Sequence, residues 1–274
     1  MSQLRMPVVI YGFGWILRIL MLTLTISCHG QNENQAEVGG HWEVWTPSDS
    51  ILLERPRDFI EYESVPISGI CPISDTAKTG APRCGYRWNR DAWELLGAGL
   101  NGEIDVFLIY QNDLIAGGAF TEEKGDNLDH MGRWDGESWK PFHKGINGRV
   151  RALAEFDSAL IAGGDFTTAG DGTVFHLARW DGNLWRHIGG GVNGPVRALA
   201  VYGGDLIAAG QFDHAGRVPA QNIARWSGDE WHSMGAGFNG PVHDLIVHEG
   251  RLMATGAFSK SGDVDLEGVA RYVE

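Results

Sequence analysis

Few residues of this 274-residue chain have types and spacing suited to chemistry, and most of those recur at a fixed interval. Asp105, Arg151, Arg197 and His243 fall 46 residues apart and form one such set. Brought together, they would make a mixed-charge ring. Its two guanidinium forks suit a small polar or anionic ligand, a carboxylate or a glycan. The same positions would also serve as the wet, charge-tolerant lining of a channel end, and the sequence leaves both readings open. Asp126, Asn127 and Asp129, or Asp263 and Asp265, offer oxygens of the kind Ca²⁺ takes. Neither group has the spacing of an EF-hand loop, and both read as solvated acidic turns. His130 and His176 occupy one repeat position, which Asn222 also fills. A position that accepts His or Asn predicts a hydrogen bond at the entry to a strand, not a metal pair. No metal and no cofactor is expected. No catalytic residue is assigned either, because an active site is asymmetric and these polar features repeat.

The three cysteines divide into one and two. Arg5 and Arg18 precede an apolar run, Ile19 to Ile26, that is too short to span a bilayer. The run ends at Thr25-Ile26-Ser27-Cys28, and a polar stretch from His29 to Gln35 follows. This resembles a bacterial lipoprotein signal. It implies a signal peptide over residues 1–27, an acylated Cys28 and a linker over 28–40. The chain is then expected to be exported and lipid-anchored at the periplasmic or cell-surface face of the envelope. Each buried CH₂ of the anchor would add about 0.8 kcal/mol. Cys71 and Cys84 lie thirteen positions apart and are expected to form a disulfide in that oxidising compartment. Closing so short a loop stabilises by about 3 kcal/mol in the chain-entropy model. A two-thiolate metal site is disfavoured, since no His lies close beside them.

The elements that must position these residues are written in the same 46-residue interval. Arg87-Trp88, Arg133-Trp134, Arg179-Trp180, Arg225-Trp226 and Arg271-Tyr272 follow it. A second Trp comes five residues after each of the first four pairs, at 93, 139, 185 and 231. The motif Gly-x-Asn-Gly keeps the interval at 99–102, 145–148, 191–194 and 237–240. So does the apolar run 114–120 with its copies from Leu160, Leu206 and Leu252. Repeats of this length signal stacked supersecondary units. Within one repeat, Val196 to Tyr202, Leu206 to Phe212, Asn222 to Trp226 and Trp231 to Met234 read as four strands. Gly203-Gly204 turns the first pair, Asp213 to Gln221 is a polar loop, and Asp135-Gly136 and Asp181-Gly182 mark hairpins in sister copies. The 39 Gly and 11 Trp supply turns and inter-strand packing.

The expected fold is therefore all-β: a β-propeller of four-stranded antiparallel blades. The last repeat ends after its third strand, so its fourth must come from elsewhere. Residues 41–46 resemble a fourth strand and would close a five-bladed ring. A degenerate blade would span 50–97, with regular repeats at 98–143, 144–189, 190–235 and 236–274. The alternative is four blades closed by the strand around Trp93. The run Leu114-Ile115-Ala116-Gly117-Gly118-Ala119-Phe120, the core Ala178-Arg179-Trp180-Asp181-Gly182 and Trp185 are similar to kelch-like repeats. Such repeats occur in bacterial surface proteins and fungal cortical-marker proteins. The resemblance implies a propeller and no particular activity. The kelch-repeat enzyme galactose oxidase needs a copper site of two Tyr and two His, with one Tyr cross-linked to a Cys, and no such setting is present. The sialidase turn Asp-x-Gly-x-x-Trp is one residue longer than the turn here.

Lys and Arg total 22 against 35 Asp and Glu, a net charge of −13. A chain this acidic has no general attraction for nucleic acid. The function expected is a non-catalytic binding or scaffolding module at the cell envelope, with a glycan or protein partner. An envelope enzyme acting on glycans is the alternative. A third reading is an architectural unit that joins copies of itself.

Overall fold

In the computed structural model, residues 40–44, 59–71 and 83–273 are described, and every regular element among them is a strand. Cys28 and the signal segment lie outside the described residues. Five four-stranded antiparallel sheets follow one another along the chain. The first holds Phe59–Tyr62, Val65–Ser68, Cys84–Trp88 and Trp93–Leu100. The second holds Ile104–Tyr110, Asp113–Gly118, Met131–Trp134 and Trp139–Pro141. The third holds Val150–Phe156, Ala159–Gly164, Leu177–Trp180 and Trp185–His187. The fourth holds Val196–Tyr202, Asp205–Gly210, Ile223–Trp226 and Trp231–Ser233. The fifth holds Val242–His248, Arg251–Gly256 and Val269–Val273, and its fourth strand is His41–Val44 from the other end of the chain. That strand pairs antiparallel with Val269–Val273, His41 opposite Val273. Trp93–Leu100 pairs within the first sheet, not with the last.

Local chemistry explains the meander. The turns between first and second strands place two successive residues at positive φ: Glu63-Ser64, Gln111-Asn112, Asp157-Ser158, Gly203-Gly204 and Glu249-Gly250. Two such residues match the right-handed twist of the strands they join. Between third and fourth strands, Asp135 Oδ1 accepts from the amides of Glu137 and Ser138. Asp181 Oδ1 does the same for Asn183 and Leu184. These are side-chain-closed turns, and Gly136 and Gly182 take the left-handed residue each requires.

The segments between second and third strands are not simple polar loops. Each folds into a two-stranded ribbon, at Glu122–Asn127, Thr168–Thr173, His214–Pro219 and Lys260–Asp265. Short pairing of this kind leaves a turn of few residues and hides most of its own backbone polar groups.

The core lies between successive sheets. The first strands of neighbouring sheets pack on one another in chain order, the first on the second and so on to the fifth. The Trp pairs sit directly opposite each other on third and fourth strands, with ring centroids 5.5, 5.5, 5.5 and 5.2 Å apart at Trp88–Trp93, Trp134–Trp139, Trp180–Trp185 and Trp226–Trp231. All four pairs lie near 60°. Tilted stacking of this kind is favourable beyond area burial. Cys71 and Cys84 form a disulfide.

Candidate functional site

The first strands begin at the end of the molecule that also carries the ribbons, here the ribbon end. The opposite end carries the hairpin turns, here the turn end. Each first strand of the second to fifth sheets opens with a bulge, between Ile104 and Val106, Val150 and Ala152, Val196 and Ala198, and Val242 and Asp244. The residues left out of register are Asp105, Arg151, Arg197 and His243. A bulge re-aims the side chain it releases from the ladder. It can form here because the chain crosses itself closely: at Gly164 an added Cβ would collide with the Arg149 carbonyl oxygen. That oxygen accepts the Asp165 amide at 2.9 Å.

The charges at this end are already engaged. Arg149, immediately before the first strand of the third sheet, donates from Nε and Nη2 to both oxygens of Asp105 in the second sheet. Its Nη2 also reaches Glu103 Oε2 at 2.7 Å. The Asp105 carboxylate holds the Arg149 guanidinium above its ordinary range, against partial burial. Arg151 donates from Nε to both oxygens of Asp165 at 2.9 Å, and from Nη2 at 2.5 Å. Arg197 Nη2 reaches Gln211 Oε1 at 3.5 Å. His243 is exposed. The arrangement is a locally balanced cluster, three guanidiniums among Glu103, Asp105 and Asp165. Sequence reasoning missed Arg149, Glu103 and Asp165. All three break the repeat, with Pro195 and Pro241 standing where Glu103 and Arg149 stand. That departure was the available signal.

The repeated polar residues serve the fold. In Gly-x-Asn-Gly, Asn147 Oδ1 accepts the amides of Thr167 and Thr168, both at 2.9 Å, and Nδ2 donates to Thr167 Oγ1 at 3.1 Å. Asn101, Asn193 and Asn239 make the same three bonds to residues 121–122, 213–214 and 259–260. Each Asn thus latches the ribbon of its own repeat. His130, His176 and Asn222 share a left-handed backbone at the strand entry. There the amides of His176 and Asn222 bond Phe166 and Phe212 carbonyls at 3.0 and 2.8 Å. No cluster able to hold a metal occurs among the described residues.

A cavity of about 410 Å³ lies between the fourth strand of the first sheet and the ribbon of the second. Gly97, Ala98, Glu123, Lys124, Asp126, Glu137 and Ser138 line it. Glu123 is 3% exposed, and its carboxylate accepts the amides of Ala98 and Trp139. Both oxygens are therefore committed to the backbone.

The geometry defines an all-β protein of four-stranded antiparallel sheets that fits a propeller repeat fold. No protein-family model matches the chain, and no curated protein matches it. Among solved structures it is similar to the computationally designed Ika8 protein, at 16% identity over 73% of this chain and 54% of that one, TM-score 0.46. It is similar to the WD40 β-propeller domain of Doa1, at 13% identity over 78% and 62%, TM-score 0.43. It is also similar to the extracellular domain of a hybrid two-component system from B. thetaiotaomicron, at 10% identity over 81% and 28%, TM-score 0.47. The chain spans less than two thirds of the length of each.

Proposed function

We propose that the protein is a five-bladed propeller that acts as a non-catalytic binding or scaffolding module, exported and anchored at the cell envelope through Cys28. Completion of the fifth sheet by His41–Val44 supports the blade count. The Cys71–Cys84 disulfide fits an oxidising compartment. One observation carries the binding role. The repeated polar side chains are spent on backbone latches, and the charges that break the repeat gather at the ribbon end. Arg151 there already holds a carboxylate in its fork, Asp165. A ligand carboxylate, on a glycan or a protein segment, would take that place by exchange, charge for charge. Exchange keeps the guanidinium paired, and the displaced Asp165 carboxylate, one third exposed, is left to water.

The test is a binding screen of the full chain, purified in mild detergent, against envelope glycans and peptide fragments, beside an Arg151→Ala/Arg197→Ala variant. Binding that disappears in the variant while the melting temperature holds supports the ribbon-end site. Equal binding by both proteins overturns it.

A further inference from the structure

The turn end is chemically unlike the ribbon end, and the fold does not require what it shows. On the first strands, Glu61, Ile109, Glu155, Val201 and Val247 share one register: each lies opposite the residue five positions later across its hairpin. All five are exposed. Ile109, Val201 and Val247 are 39%, 41% and 39% exposed, although Phe107, Leu153, Leu199 and Leu245 two residues earlier are at 8% or less. The strand thus passes from core to open surface without changing its apolar character at three of the five positions. Val201 and Val247 lie on first strands that pack directly on one another, while Glu155 stands between them and Ile109, so apolar and acidic side chains alternate along this end.

The charge on these strand ends and turns is mostly negative. The first turn residue of each sheet, in order, is Glu63, Gln111, Asp157, Gly203 and Glu249. Together with Glu61 and Glu155 these make five carboxylates. The fifth hairpin also carries His248, 3.9 Å from Glu249, and the exposed Arg251 opposite it in the ladder. Farther out, Arg133 and Arg225 are engaged by Asp113 and Asp205. The field is felt locally: burial first, then Glu63 and Asp113, raise the Tyr62 hydroxyl above its ordinary value.

We propose that the turn end docks a cationic peptide segment, its Lys or Arg side chains meeting Glu61, Glu63, Glu155, Asp157 and Glu249 while its branched apolar side chains cover Ile109, Val201 and Val247. Charge complementarity selects the sign of the partner. The apolar patch selects against a merely polar polycation, because only an apolar side chain recovers the free energy of covering it. This surface is separate from the ribbon-end cluster, so either site can fail without the other.

The experiment titrates the full chain in mild detergent with a synthetic peptide alternating Lys and Val, and with one alternating Lys and Ser. The Lys–Val peptide should bind at least tenfold more tightly. A Val201→Ser/Val247→Ser variant should remove that advantage with no change in melting temperature. A Glu61→Gln/Glu155→Gln variant should weaken both peptides, most at low salt. Equal affinity for the two peptides, or an advantage that survives the valine substitutions, overturns the proposal and leaves only the general attraction of an acidic surface.

Discussion

Single side chains that close the backbone carry much of this fold, and the asparagine latch shows how. Asn147 satisfies two ribbon amides and one hydroxyl at once. Asn147→Ala removes the acceptor and leaves those amides to water or to nothing. These bonds are solvent-exposed, so chemical denaturation should show a loss of about 0.5–1.5 kcal/mol, the net worth of an ordinary hydrogen bond. Asn147→Asp, which keeps the acceptor, should lose less. The turn carboxylates follow the same logic with a pH dependence. Amides of Ser138 and Glu137 lower the Asp135 carboxyl below its usual range. The Leu184 amide, the Arg186 side chain and the Asn183 amide do the same for Asp181. A carboxyl held low in the folded state adds stability above its unfolded value, about pH 3.9, and loses it as pH falls through the folded value. An Asp135→Ala/Asp181→Ala variant should therefore melt below the parent at pH 7. The gap should narrow steadily below about pH 4. A constant gap across that range would show that the carboxylate charge contributes nothing. The sequence displayed these positions without their roles. Gly-x-Asn-Gly stood out for its glycines, and the partner of its Asn lies twenty residues away, where no pattern of types marks it.

At the scale of elements, the repeat was legible because each strand pair needs the same packing. The Trp pairs fall opposite each other because both strands present one residue per face at that register. The Arg that precedes the first Trp is less uniform than its recurrence suggests. Arg133 and Arg225 pair with Asp113 and Asp205 at 3.0 Å. The third sheet carries Ala159 at that position, so no acid stands there for Arg179. Arg225→Met should cost up to about 1 kcal/mol, as exposed pairs do, and Arg179→Met should cost less. Thermal melts of the two variants side by side would check that ranking. Glu123 departs in the other direction. In the third and fourth sheets its counterparts Ala169 and Ala215 are bridged to Ile146 and Val192 of the preceding connection by backbone alone. Beside the second sheet, that connection is instead part of the long strand Trp93–Leu100, and the Glu123 carboxylate spans the difference. Glu123→Ala, which restores the residue type of the sister repeats, should destabilise by about 1–3 kcal/mol, because the amides of Ala98 and Trp139 lose their acceptor. Repeat averaging hides such a residue: it looks like a deviation in a variable ribbon, and its need arises from an irregularity in the neighbouring sheet.

For the whole molecule, the question is what keeps the sheets from presenting open edges. The third strand of the fifth sheet, Val269–Val273, would be such an edge without a fourth partner. Its amides and carbonyls are met by His41–Val44, a segment more than two hundred residues earlier in the chain. An exposed ladder edge invites pairing with other molecules, and covering it removes that hazard. In the proposed five-bladed ring the same pairing, of residues 41–44 with the last sheet, would close the array, and every inter-sheet interface would depend on it. In an array whose units touch only their neighbours, such a link converts a sum of local stabilities into one cooperative unit. Deleting residues 29–47 should therefore do more than remove four paired residues. Calorimetry of the truncated chain should show the single sharp transition broadening or vanishing, and sedimentation should show association through the bared edge. A sharp, unshifted transition from a monomeric truncated chain would mean that the sheets hold together without the closing strand, and would favour the four-bladed arrangement.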